Sequence, residues 1–107
     1  MISYIIPHKG RHHMLVRHLD DTQFNSEVQY IVVNDGNDDM PDLSRFPVEV
    51  IESNGKGANA ARHTGAEFAD YEYLIFVGSD CIPQADLILS HFINLVSRTS
   101  GWNGVIP

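Results

Sequence analysis

Cysteine is almost missing from this chain, with Cys81 the only one. A lone thiol excludes an internal disulfide framework and fits a reducing compartment, so a cytoplasmic location is expected. Positive charge is scarce as well: 7 Lys and Arg stand against 14 Asp and Glu, a net charge of −7. That balance argues against nucleic-acid binding, which needs a basic footprint, and any anionic ligand must be held by local donors. Long apolar runs are also missing. Nothing approaches the ~20 residues of a membrane span, so contact with a membrane would be at its cytoplasmic face and through a longer protein. The opening Met1-Ile2-Ser3-Tyr4-Ile5-Ile6-Pro7 lacks the basic region and cleavage site of a signal peptide. No internal repeat or low-complexity segment occurs. What remains is ordinary soluble composition, 43% apolar and 20% charged, in 107 residues that suffice for one domain over 1–107 and not for two.

Apolar runs and turn signals alternate along this length. Ile2 to Ile6 predicts a first strand stopped by Pro7. A surface helix is predicted over about residues 10 to 21. Its Leu15, Val16 and Leu19 share one face, and Arg11, Arg17 and Asp20 fall elsewhere. Glu27 to Val33 has high β-propensity and ends in the turn cluster Asn34-Asp35-Gly36-Asn37. Asp38 to Leu43 predicts a short helical turn with a solvated acidic face, and Val48 to Ile51 a third strand. The glycine-rich turn Asn54-Gly55-Lys56-Gly57 then leads into a helix whose Ala58, Ala61, Gly65, Phe68 and Ala69 line one side. Small residues there let a helix lie close to a sheet. Tyr73 to Val77 is an unbroken apolar run of the kind buried on both faces of a central parallel strand. Ala85, Ile88, Leu89, Phe92, Leu95 and Val96 predict a last helix over about Gln84 to Ser97, before a further strand begins at Val105. This alternation implies an α/β fold: a doubly wound, mainly parallel sheet with right-handed crossovers and helices on both faces.

In such a sheet ligands sit at the carboxyl ends of the strands, near the switch in strand order. The loops at those ends carry Pro7-His8-Lys9, Asn34 to Asn37, Ser53 to Gly57 and Gly78-Ser79-Asp80. They bring together Asp35, Asp80, Lys9, Lys56 and, one turn into its helix, Arg62. Cations and helix N-termini suit a phosphate, and a carboxylate can hold the divalent metal that bridges phosphate oxygens. The bland alternative leaves Asp35 a turn residue and Asp80 a cap for the helix after Pro83. The common nucleotide fingerprints are missing, since there is neither a Walker lysine motif nor a G-x-G-x-x-G after the first strand.

Four stretches, in order and at matching spacing, carry a family resemblance over nearly the whole chain. They are Ser3-Tyr4-Ile5-Ile6-Pro7; Ile31-Val32-Val33-Asn34-Asp35-Gly36; Asn54-Gly55-Lys56-Gly57 with Ala61 to Ala66; and Glu72 to Phe76 with Asp80-Cys81-Ile82-Pro83. Together they resemble the N-terminal half of a GT-A-fold glycosyltransferase of family 2, whose members are inverting nucleotide-sugar transferases. The resemblance implies a nucleoside diphosphate sugar as donor, a UDP-sugar by preference, with Mg²⁺ or Mn²⁺ and a carbohydrate or lipid-linked acceptor, as in polysaccharide biosynthesis. It implies that Pro7, His8 and their neighbours line the nucleoside pocket, that Asp35 reads the base, and that Arg62 lies near uridine or diphosphate; Lys56, by its place in the helix-opening turn, is a candidate phosphate contact beside the alternative of an exposed turn residue. Ser79 and Asp80 match the D-x-D loop at the diphosphate, with Asp80 the metal-associated acid. Gly78 replaces the first D-x-D aspartate, and Asn34 replaces a frequent aspartate. The acceptor base matches nothing here and is expected beyond Pro107, so the chain reads as a fragment of a longer enzyme, inactive alone.

Two rival readings stand beside this one: a non-catalytic nucleotide-binding module that has lost part of its metal site, and a purely structural α/β domain. His8, His12, His13 and His18 invite a metal, but adjacent His12 and His13 cannot share a helix face. Cys81 reads as a small buried residue, His63 as a surface side chain or a phosphate neighbour, and Trp102 as packing. An incomplete sheet would leave an edge through which two copies could pair.

Overall fold

The computed structural model describes residues 2–80 and, for the backbone, 105–106. The strands are β1 (Ile2–His8), β2 (Val28–Asn34), β3 (Glu49–Glu52), β4 (Tyr73–Phe76) and β5 (Val105–Ile106), with helices α1 (His12–Asp21) and α2 (Ala58–Phe68). They form one five-stranded sheet in the order β3-β2-β1-β4-β5, every pairing parallel. The expected α/β class is thus observed, with β1 rather than β4 at the centre. The expected helix over Gln84 to Ser97, and Cys81, Pro83 and Trp102, lie outside the described residues.

The chain steps from β1 through β2 to β3 in one direction, then returns to place β4 on the other side of β1. Crossovers of one hand that travel in opposite directions deliver their helices to opposite faces. Accordingly α1 packs Leu15 and Leu19 against Ile2, Tyr4, Ile6, Tyr30 and Val32, while α2 packs Ala61 against Ile5, Ile31, Val33 and Phe76. The period of two along β1 feeds both layers, which is why its residues 2–6 are buried without exception. Tyr4, Ile5, Ile6, Leu15, Leu19, Ile31, Val32 and Val33 are each at most 1% exposed, and each contributes about 1.5–3 kcal/mol by leaving water.

The connection from β2 to β3 contains no helix, which corrects the helical turn expected over Asp38 to Leu43. Pro41 disfavours helical backbone at Met40. The Asp42 carboxylate accepts the Ser44 N–H at 2.9 Å, drawing the chain into a local turn that closes with Phe46 N–H on the Leu43 carbonyl at 3.0 Å. Leu43, Phe46 and Val48 from this segment complete the α1 side of the core, where Phe24 packs edge-on against Tyr30 at 4.8 Å.

On the other face α2 sits unusually close. A Cβ on Gly65 would lie 2.5 Å from Ile5 Cγ2 and 3.1 Å from Val33 Cγ2, so only glycine fits where helix meets sheet. The expected small-residue stripe is present but narrower than its spacing implied. Ala61, Thr64 and Gly65 are buried, whereas Ala58 is exposed and Phe68, at the helix end, is 44% exposed. The β3 edge carries Glu49 and Glu52, and such charges oppose the edge-to-edge pairing of two copies.

Gly65→Ala is expected to destabilise the domain by about 1–3 kcal/mol through overpacking, against a helix-propensity gain of about 1 kcal/mol. A lower thermal midpoint by circular dichroism checks this. An unchanged or raised midpoint would mean that helix and sheet are not in close contact there.

Candidate functional site

The site begins with a missing hydrogen bond. In a parallel ladder successive residues turn their polar groups to alternate neighbours. The Ile5 carbonyl accepts Val77 N–H at 3.0 Å from the β4 side, and the His8 carbonyl accepts Asp35 N–H at 2.9 Å from the β2 side. Residue 7 therefore faces β4, and Pro7 has no N–H to offer it. The expected stop at Pro7 holds on that side alone: β1 continues to His8, with Pro7 paired in register with Val33 of β2. Released from β1, the chain after β4 turns away at Gly78. The gap falls where strand order reverses, between the carboxyl ends of β1 and β4.

A pocket of about 500 Å³ fills this crevice. Pro7, Lys9, Gly10 and Arg11 line one side, and Gly78, Ser79 and Asp80 the other. Two cations face one carboxylate, so the pocket is locally positive on an acidic protein. The helix expected from about residue 10 starts only at His12, because Gly10 (φ 65°) and Arg11 (φ 41°) are both left-handed. For an arginine this conformation costs about 1–2 kcal/mol, and such outliers gather at functional sites. Spacing alone put Arg11 on the outside of a helix. Its role as a pocket wall depends on that backbone turn.

Behind the wall the polar groups are tightly paired. His8 is 1% exposed. Its Nδ1 lies 2.8 Å from Ser79 Oγ and its Nε2 lies 2.8 Å from His12 Nδ1. Burial first, and then the neighbouring His12 charge, push its pKa down from 6.5 to about 4. Further along α1, His18 Nε2 pairs with Tyr4 Oη at 3.0 Å inside the core. His12 and His18 are therefore engaged in separate structural contacts. Among the described residues no three His, Cys, Asp or Glu side chains are grouped to hold a metal.

The second loop is held by Asn37 and Asn34. Asn37 Nδ2 donates to the His8 carbonyl at 3.0 Å, and its Oδ1 accepts Gly10 N–H at 2.8 Å, tying the β2 loop to the pocket wall. Asn34 Nδ2 donates to both carboxylate oxygens of Glu52, at 3.0 and 3.1 Å. This accounts for an amide at position 34. A carboxylate there would meet that of Glu52 with no donor between them.

Asp35 is 5% exposed, and its Oδ1 accepts Gly57 N–H at 3.1 Å. Gly57 is the N-cap of α2 and has no side chain to cap it, so Asp35 supplies the cap from across the sheet. Among the described residues Oδ2 makes no hydrogen bond. Lys56 is exposed in the turn before α2, and half-buried Arg62 donates to Asn59 Oδ1 one turn in. Neither lines the pocket, and nor does Asp35. His63 is occupied on the surface by Glu67, 3.1 Å away. Of the residues singled out in the sequence, Pro7, Lys9, Ser79 and Asp80 therefore meet in the pocket, His8 stands directly behind Ser79, Asp35 reaches the N-cap of α2, and Lys56 and Arg62 lie in that turn and one turn into the helix.

A divalent metal is testable against this arrangement. Mg²⁺ is commonly held by one or two carboxylates, with ligand phosphates and water completing its shell. Asp80, exposed at the pocket rim, fits that mode of binding.

Fold and crevice together define a parallel α/β domain with a pocket at its topological switch point. More narrowly, the chain belongs to glycosyl transferase family 2, whose family model matches residues 3–99. The family's chemistry is glycosyl transfer from a nucleotide-sugar donor to an acceptor. No curated protein matches the chain. No helix among the described residues is long and apolar enough to cross a membrane.

Two outcomes are expected. Between pH 6.5 and about 4 the unfolded chain binds a proton that folded His8 refuses. Stability is then full above that window and falls by roughly 3 kcal/mol as pH drops through it. Urea titrations across pH should show this slope, and His8→Gln should flatten it. Asn34→Asp should destabilise by about 1–3 kcal/mol at neutral pH by leaving a buried charge unpaired, with recovery when Glu52→Gln is added. Additive losses in that double variant would disprove the Asn34–Glu52 explanation.

Proposed function

We propose that residues 1–107 form one donor-binding domain that takes a nucleoside diphosphate sugar into the β1–β4 crevice for inverting transfer to a carbohydrate or lipid-linked acceptor. The observation that carries this is the locally cationic pocket at the switch point, walled by Lys9 and Arg11 and facing Asp80. The diphosphate binds there, against those cations. The nucleoside extends over Pro7 toward the start of α2, where the spare oxygen of Asp35 accepts an imide N–H. That acceptor suits uracil and favours UDP. Lys56 and Arg62 add positive charge at the α2 end, and His8 acts from behind the wall through Ser79.

Mg²⁺ or Mn²⁺ held by Asp80 and the donor's phosphate oxygens would offset the charge that builds on the departing diphosphate. Lys9 and Arg11 supply the same kind of stabilisation from the chain itself. In an inverting transfer the acceptor oxygen bonds to the anomeric carbon as the bond to the diphosphate breaks, and the acceptor proton passes to a base. Such chemistry suits polysaccharide assembly in the cytoplasm or at the cytoplasmic face of a membrane. A second reading, a nucleotide-binding module without turnover, is favoured by one feature: Gly78 stands where the family's first D-x-D aspartate is expected.

Calorimetric titration with UDP and GDP, in Mn²⁺ and in EDTA, tests the proposal. UDP-selective, Mn²⁺-dependent binding is expected, with Asp80→Ala losing the metal dependence. Asp35→Asn can still accept from Gly57 yet offers an amide to the base, so it should lower UDP affinity about tenfold or more while stability stays near normal. Selectivity unchanged in Asp35→Asn would remove Asp35 from the site. Binding indifferent to EDTA would favour the module without turnover.

A further inference from the structure

The Ser79–His8–His12 chain has a property that none of its members has alone. A neutral imidazole donates from one nitrogen and accepts at the other. Both His8 nitrogens are engaged at 2.8 Å, and burial keeps the ring neutral down to about pH 4. With His12 Nδ1 either accepting or donating, the chain can be polarised in two ways. In one, Ser79 O–H donates to His8 Nδ1 and His8 Nε2–H donates to His12, so Ser79 shows the pocket only lone pairs. In the other, His12 Nδ1–H donates to His8 Nε2, His8 Nδ1–H donates to Ser79 Oγ, and the Ser79 proton is released for a partner in the pocket. Ser79 lines that pocket beside Asp80, opposite Lys9 and Arg11.

We propose that Ser79, His8 and His12 form a hydrogen-bond relay that presents the Ser79 hydroxyl as a donor to an anionic phosphate oxygen in the β1–β4 crevice. Ser79 is the binding residue, and His8 and His12 are positioning residues that act through it. An anion selects the second polarisation because an oxygen with only lone pairs would repel it. When the polarisation reverses, His8 takes up a proton at Nδ1 as it gives one up at Nε2, so its charge does not change, and solvent supplies and receives the protons. Around this chain the titratable groups are His12 on α1 and Lys9, Arg11 and Asp80 at the adjoining pocket. The two cations reinforce the anion, and Asp80 opposes it unless a metal lies between. The proposal rests on the donor-site reading only for the identity of the anion.

Pyrophosphate and UDP are the probes, titrated into the 107-residue protein. Ser79→Ala should weaken both about tenfold, the loss of one charge-assisted hydrogen bond, and leave uridine binding unchanged. Ser79→Thr keeps the hydroxyl and should restore affinity. His8→Gln, which has no group at the Nδ1 position, should weaken pyrophosphate by a smaller factor. Adding it to Ser79→Ala should cost nothing further, because the two act through one hydroxyl. Imidazole ¹⁵N NMR gives a readout that a purely structural role would not move: saturating pyrophosphate should leave His8 protonated at Nδ1 alone. Ser79→Ala binding pyrophosphate as tightly as the natural sequence, or His8 protonated at Nε2 in the bound state, would overturn the relay. No binding of pyrophosphate at all would overturn it too. Pyrophosphate bound through Ser79 with UDP no tighter would uphold the relay and remove the nucleotide-donor reading.

Discussion

Along β1 the backbone polar groups of residues 3, 5 and 7 turn toward β4, and those of 4, 6 and 8 turn toward β2. Pro7 interrupts the first series and leaves the second intact. One strand is thereby joined to β2 as far as His8 and to β4 only as far as Ile5. The separation has a definite place, at the reversal of strand order, and a definite cause, an absent N–H group. A residue lacking that donor at position 6 or 8 would instead break the β1–β2 ladder, which carries the His8–Asp35 bond on which the second loop hangs. The pocket depends on the phase of this alternation.

The opened crevice is kept in shape by polar groups that satisfy one another. Asn37 links the Asn34–Asn37 loop to the His8–Gly10 turn. Asn34 holds Glu52, Asp35 caps α2, and His8 ties Ser79 to His12. Among the described residues no buried side-chain polar atom lacks a partner. In a weakly screened interior an unpaired group would cost about 1–3 kcal/mol, so each link constrains the next. The strained Arg11 backbone is held within the same frame, between a turn pinned by Asn37 and a helix pinned by Leu15 and Leu19.

This coupling also bears on the family's sequence pattern. The resemblance leads to an expected aspartate at position 34, and Glu52 on the neighbouring strand accounts for the asparagine. Gly78 has no such partner to explain it. With no side chain there, the acid contributed by this loop is Asp80 alone, and the positive side of the pocket falls to Lys9 and Arg11. The pocket wall is thus built more from cations of the β1 loop than from acids of the β4 loop.

Much of this was legible in the residues because it is local or periodic. Alternating apolar runs in β1, β2 and β4, a 3.6-residue period in α1, and turn chemistry at Asn34 to Asn37 and Asn54 to Gly57 each act over a few neighbouring positions. They suffice for a parallel α/β sheet and for the loops at its ligand end. The small-residue stripe around Gly65 likewise announced close helix packing, though not its narrowness, since burial at Ala58 and Phe68 depends on how far the sheet extends beneath the helix. Contacts across long separations in sequence carry no local signal. The sequence contains His8, Ser79, Asn34, Glu52, Asp35 and Gly57, but nothing in their spacing pairs them, because each pair meets only once distant segments are laid side by side in the sheet. The side of β1 on which Pro7 would act, the left-handed turn that puts Arg11 in the pocket, and the burial that keeps His8 neutral were decided by tertiary structure alone. Each depends on which neighbour a backbone or side chain finally faces, and that is a property of the assembled sheet.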